Sequence, residues 1–128
     1  MNKNYSALTL DELPKRLSSI TAITDQIGTD SSEWKVTEVG DGNLNLVFIV
    51  IGSNGKIVIK QALPYVRVVG DSWPLTLDRA FFEYNALVRQ EQRDPGIAPS
   101  VFYFDREQGL IAMECLDKDR EFLTQGNV

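Results

Sequence analysis

A length of 128 residues, 43% hydrophobic and 24% charged, suits one ordinary globular domain, and the net charge of −5 weighs against a nucleic-acid partner, which needs a basic surface. No apolar run approaches the roughly 18–20 residues of a membrane-spanning helix, and the start Met1-Asn2-Lys3-Asn4-Tyr5 is too polar for a secretory signal. Histidine is absent and Cys115 is the one cysteine, which excludes an internal disulfide, Ser-His-Asp triads and most zinc sites, and predicts a cytoplasmic protein.

In chain order, Thr9-Leu10-Asp11-Glu12 has the form of a capping box, with Pro14 suited to a first helical turn. Leu13, Leu17, Ile20, Ile23 and Ile27 follow at helical spacing and predict one amphipathic helix stopping at Gly28. Residues 34–39 alternate as a strand, Gly40-Asp41-Gly42-Asn43 reads as a turn, and residues 44–51 form a long apolar strand. Ser53-Asn54-Gly55-Lys56 carries the Asn-Gly pair of a type I′ hairpin, leading into a third strand, Ile57-Val58-Ile59-Lys60-Gln61. Residues 64–74, with Gly70 and two prolines, are expected to be irregular. From Thr76 a helix is predicted, striped by Phe81, Tyr84, Leu87 and Val88 and stopped by Asp94-Pro95-Gly96. Val101-Phe102-Tyr103-Phe104 and Leu110-Ile111-Ala112-Met113 complete the set as two further strands.

Four places carry candidate chemistry. The turn around Gly40 and Gly42, running to Asn45, lets backbone N–H groups approach a phosphate, or is simply a hairpin turn; it lacks the Gly-Lys-Ser/Thr of a Walker loop. Lys60 closes an apolar strand, where it either pairs with nucleotide phosphates or blunts a sheet edge. Glu83 shares a helix face with Ala80 and Leu87; its partner is either Lys60 or, one helical turn back, Arg79. Glu114, Cys115 and Leu116 leave the last strand, where main-chain groups are free to bind an adenine edge. Their order specifies an α+β fold: a protein-kinase-like N-terminal lobe, with a five-stranded antiparallel sheet, a helix between its third and fourth strands and an extra N-terminal helix.

The wording is also recognisable. Glu38-Val39-Gly40-Asp41-Gly42-Asn43-Leu44-Asn45-Leu46-Val47-Phe48, and the run from Lys60-Gln61-Ala62-Leu63-Pro64 through Trp73-Pro74-Leu75-Thr76 to Ala80, resemble the S-methyl-5-thioribose kinase family, over residues 34–116 or so. The resemblance implies ATP-dependent phosphorylation of methylthioribose at its 1-hydroxyl, a step of methionine salvage, on the fold shared with aminoglycoside phosphotransferases. It implies that Asn45 and Lys60 contact ATP, that Glu83 orients Lys60, and that Glu114 and Leu116 flank the adenine through their main chain with Cys115 between them. Cys115 stands where the family often has an acidic residue, a change that a backbone contact tolerates.

The family's catalytic His-Gly-Asp and magnesium-binding Asp-Pro-Glu motifs do not occur among these residues. The expectation is therefore a lobe without its catalytic partner, inactive alone, with no catalytic or metal-binding residue of its own. Its magnesium ligands and methylthioribose contacts would lie in a C-terminal lobe. The expected division is a helical extension over 1–32, the nucleotide-binding lobe over 33–116, and a hinge and tail over 117–128. Self-association is a further expectation, since a lobe without its partner exposes apolar surface. A non-catalytic nucleotide- or protein-binding module, or the lobe of another sugar or amino-alcohol kinase, is the alternative.

Overall fold

Alternation along the strands sets the two faces of the sheet. In the computed structural model, which describes residues 5–39, 45–68, 71–74 and 77–116, strand β2 (Asn45–Ile51) buries Leu46, Phe48 and Val50 and leaves Asn45, Val47 and Ile49 half-buried. Strand β3 (Lys56–Ala62) likewise buries Ile57, Ile59 and Gln61 while Val58 and Lys60 stay half-buried. With β1 (Lys35–Val39), β6 (Val101–Asp105) and β7 (Leu110–Glu114) they form one antiparallel sheet in the order β1-β2-β3-β7-β6.

The N-terminal residues cover one face. Leu8, Leu13, Leu17, Ile23 and Ile27 share a single core with Phe48, Val50, Ile57, Ile59, Leu110 and Ala112. Their helical spacing is as expected, but the helix is not continuous: α1 (Leu13–Leu17) and α2 (Thr21–Ile27) are separated at Ile20, whose backbone is extended at φ −94, ψ 108. Ser18 and Ser19 precede the break, and the Ser18 hydroxyl donates to the Lys15 carbonyl, the kind of local bond that competes with helix. The capping signal is used, as Thr9 Oγ1 accepts the Glu12 N–H at 3.2 Å. Gly28 ends α2 at φ 105, a conformation that favours glycine.

Two further expectations are corrected. The β2–β3 connection is a four-residue loop, with Ile51 paired to Lys56 and the Gly52 N–H bonded to the Gly55 carbonyl at 2.8 Å. Neither Asn54 nor Gly55 has a positive φ, so this is no type I′ turn. Its glycines serve close approach instead: a Cβ on Gly52 would overlap the Ile27 carbonyl, and one on Gly55 would sit 2.8 Å from the Gln26 carbonyl. The loop is pressed onto the end of α2.

The stretch expected to be irregular contains a hairpin, β4 (Tyr65–Val68) with β5 (Asp71–Pro74), in register Tyr65↔Pro74 and Val68↔Asp71. Its prolines bound the ribbon rather than interrupt it, since Pro64 precedes β4 and Pro74 is the last residue of β5, positions a strand tolerates. Helix α3 (Asp78–Arg93) then packs against the sheet on β3, β6 and β7. Among its described residues only Ala80 is buried. The helix is held as much by rings: Tyr84 stacks on Phe104 of β6 at 4.5 Å and 5°, and Arg106 lies 3.9 Å above Phe81.

Candidate functional site

Paired residues of an antiparallel ladder point to the same face, and residues two apart on a strand do so as well. The register Val47↔Lys60, Ile49↔Val58 and Lys60↔Ile111 therefore places Asn45, Val47, Val58, Lys60 and Ile111 on the face away from the N-terminal helices. Asn45, at the start of β2, is a diagonal neighbour of Lys60 across this surface. Half-buried Val47 and Val58 give it an apolar floor beside the ammonium.

Lys60 has a partner here. Its Nζ lies 2.9 Å from Glu83 Oε2 on α3, with the two side chains 27% and 35% exposed. Arg79, the rival partner one turn back, instead donates from Nη1 to the Leu63 carbonyl at 3.1 Å. Of the two readings left open by spacing, tertiary packing selects Lys60–Glu83. Helix α3 is seated close through the small Ala80, 4% exposed, which brings the next turn's carboxylate within reach of β3. Asp78, in the first turn, pairs with Arg106 at 3.1 Å in an exposed contact.

The far end of β7 has a different geometry. The Glu114 N–H donates to the Ser100 carbonyl at 2.8 Å, while the Ser100 N–H donates at 3.2 Å to the Glu114 carboxylate. A side-chain oxygen thus takes the bond that the Glu114 carbonyl would accept in a continuing ladder. Cys115 and Leu116 follow, both half-buried. Gly40 and Gly42 lie outside the described residues.

Sequence reasoning did not find the apolar floor of Val47 and Val58, the Arg79 tether to Leu63, or the carboxylate that ends the β6–β7 ladder. The first of these follows from apolar runs long enough to cover both faces of the sheet; the other two are long-range contacts without a local signal.

The geometry of a strand lysine, a helix glutamate and a strand exit meets strong sequence similarity. The chain is 51% identical to a methylthioribose kinase of Escherichia coli over 114 residues, covering 88% of this chain and 27% of that protein. Methylthioribose kinase 1 of Oryza sativa subsp. japonica is 43% identical over 119 residues, 91% of this chain and 28% of its own. A Bacillus velezensis methylthioribose kinase is 47% identical over 103 residues, 77% and 26% respectively. Over most of its length the chain is similar to methylthioribose kinases. It spans about a quarter of the length of these curated relatives. No protein-family model matches it. Its α+β architecture, a five-stranded antiparallel sheet with helices, is that of a kinase N-terminal lobe. The pair Lys60–Glu83 lies inside this kinase-like frame, between the third strand and the helix that follows.

Proposed function

We propose that these residues are the nucleotide-gripping lobe of an ATP-dependent kinase that phosphorylates 5-methylthioribose at its 1-hydroxyl in the cytoplasm. The observation that carries the reading is the 2.9 Å Lys60–Glu83 pair on the face shared with Asn45. ATP supplies the phosphoryl group. Lys60, steadied by Glu83, offers a part-exposed ammonium to the α- and β-phosphates. Asn45 offers an amide from the start of β2, and the main chain at Gly40 and Gly42 is proposed to add N–H groups to the phosphates. Val47 and Val58 give the base an apolar surface, and the main chain of Glu114 and Leu116, with Cys115 between them, gives its edge hydrogen-bond partners. The diverted Ser100 bond supports this last role, because it leaves the Glu114 carbonyl without that N–H.

The division into an extension over 1–32, a lobe over 33–116 and a hinge over 117–128 belongs to this proposal. So does the need for residues beyond these 128 for turnover. Phosphoryl transfer requires an oriented hydroxyl and magnesium bridging the phosphates, and the His-Gly-Asp and Asp-Pro-Glu motifs expected for those roles are not in the sequence. Calorimetric titration of the chain with Mg·ATP is the test. Weak binding that Lys60→Ala abolishes is expected, with no ADP formed in the presence of methylthioribose. Binding of equal strength in Lys60→Ala would remove lysine from the site.

A further inference from the structure

The last three residues of β3, and Leu63 just after it, bond to other parts of the molecule. Lys60 pairs with Glu83 of α3 at 2.9 Å. Gln61, with no exposed surface, accepts the Leu8 N–H at 2.8 Å on Oε1 and donates from Nε2 to the carbonyls of Ser6 and Gln108, both at 3.1 Å. Ala62 accepts the Tyr5 hydroxyl at 2.9 Å and donates its N–H to the Gly109 carbonyl at 2.8 Å. The Leu63 carbonyl accepts Arg79 of α3 at 3.1 Å. The strand end is thus a junction. On one side it is tied to the segment 5–8 and the β6–β7 turn, and on the other it carries two polar contacts to α3.

A buried amide with both donors and its oxygen engaged has one low-energy pose, and leaving any of the three partners unpaired is costly. A core position on this face asks for an apolar side chain, as Ile57 and Ile59 supply on the same strand. The polar choice at residue 61 therefore needs a reason beyond filling the core. We propose that Gln61 is a positioning residue for Lys60. By strapping the N-terminal segment to the end of β3, it fixes the strand where it meets α3, and so holds the lysine ammonium against the Glu83 carboxylate. The N-terminal segment is then part of the support of the phosphate-binding lysine. This consequence for nucleotide rests on the Lys60 reading above; the positioning itself does not.

The two are separated by measuring acetylation of individual lysines in the 128-residue chain with N-hydroxysuccinimidyl acetate, read by mass spectrometry. The quantity is the ratio of Lys60 to Lys56 modification, since Lys56 lies at the opposite end of the same strand. Without nucleotide, Gln61→Met should raise this ratio about threefold, towards the value in Glu83→Gln, as expected for loss of a part-exposed ion pair. Leu13→Ala, which loosens the same core without touching the junction, should lower thermal stability and leave the ratio unchanged. Should Gln61→Met not fold, Tyr5→Phe removes one hydroxyl bond to the junction, and a smaller rise in the ratio is expected. An unmoved ratio in folded Gln61→Met, or in Tyr5→Phe in its place, overturns the inference, as does an equal rise in Leu13→Ala. Protection of wild-type Lys60 by Mg·ATP tests the lysine's nucleotide role by itself.

Discussion

Lys60 and Glu83 keep about a third of their surface in water, and an ion pair at that exposure contributes no more than about 1 kcal/mol. Its value to the molecule is therefore geometric: it gives a flexible lysine one direction. Gln61, one residue on and fully buried, is the energetically dearer group. At the same scale, Tyr103 is a titration handle away from the site. Burial first, and Asp105 second through its charge and its hydrogen bond, push its phenol above the usual tyrosine value. The neutral form is favoured in the fold, so its contribution to stability is intact below the ordinary tyrosine pKa and is lost as pH rises through the raised one. Tyr103→Phe should remove that alkaline loss, flattening the fall in denaturation midpoint above the ordinary value. An unchanged alkaline slope would place the loss on other groups.

At the scale of elements, what the sequence made legible was local pattern, and what it hid was long-range packing. Strands β2 and β3 could be read because residues 46–51 and 57–59 are short apolar runs, rich in branched side chains and separated by turn residues. The break between α1 and α2 could not, because Leu13, Leu17, Ile20, Ile23 and Ile27 keep helical spacing across it. The β4–β5 ribbon was masked by prolines at its ends. In the candidate site, residue types and order were readable, whereas the choice of Lys60 over Arg79 for Glu83 depended on how closely Ala80 lets α3 approach. The Asn-Gly signal was sound in marking a turn and misleading in its type, since the backbone of α2 lies against that loop. Gly52→Ala should accordingly lower stability by about 1–3 kcal/mol through overpacking, although its φ is ordinary. A thermal midpoint equal to wild type would mean that the loop moves off α2 without cost.

For the molecule as a whole, the two N-terminal helices and one face of the sheet are a single core, and Trp34 sits at their junction with its indole N–H bonded to the Gly28 carbonyl at 3.2 Å. Leu13→Ala should cost about 2–5 kcal/mol, the range for a buried leucine. Helical circular dichroism and tryptophan fluorescence should lose their signals together on heating. An earlier loss of helix, with the fluorescence transition unmoved, would make the residues before β1 a separate unit.

The sheet order also sets a schedule for the growing chain. Strand β3 lies at the centre, yet its second neighbour, β7, comes from nearly half the chain away, after the ribbon and α3 have been made. During synthesis the first three strands can zip up early, while β3 carries Ile57, Val58 and Ile59 along an open edge. Such long-range closure is slow, and an open apolar edge invites pairing with other chains. The strand that bears Lys60 is thus the one most exposed to misassembly until residues 110–114 dock.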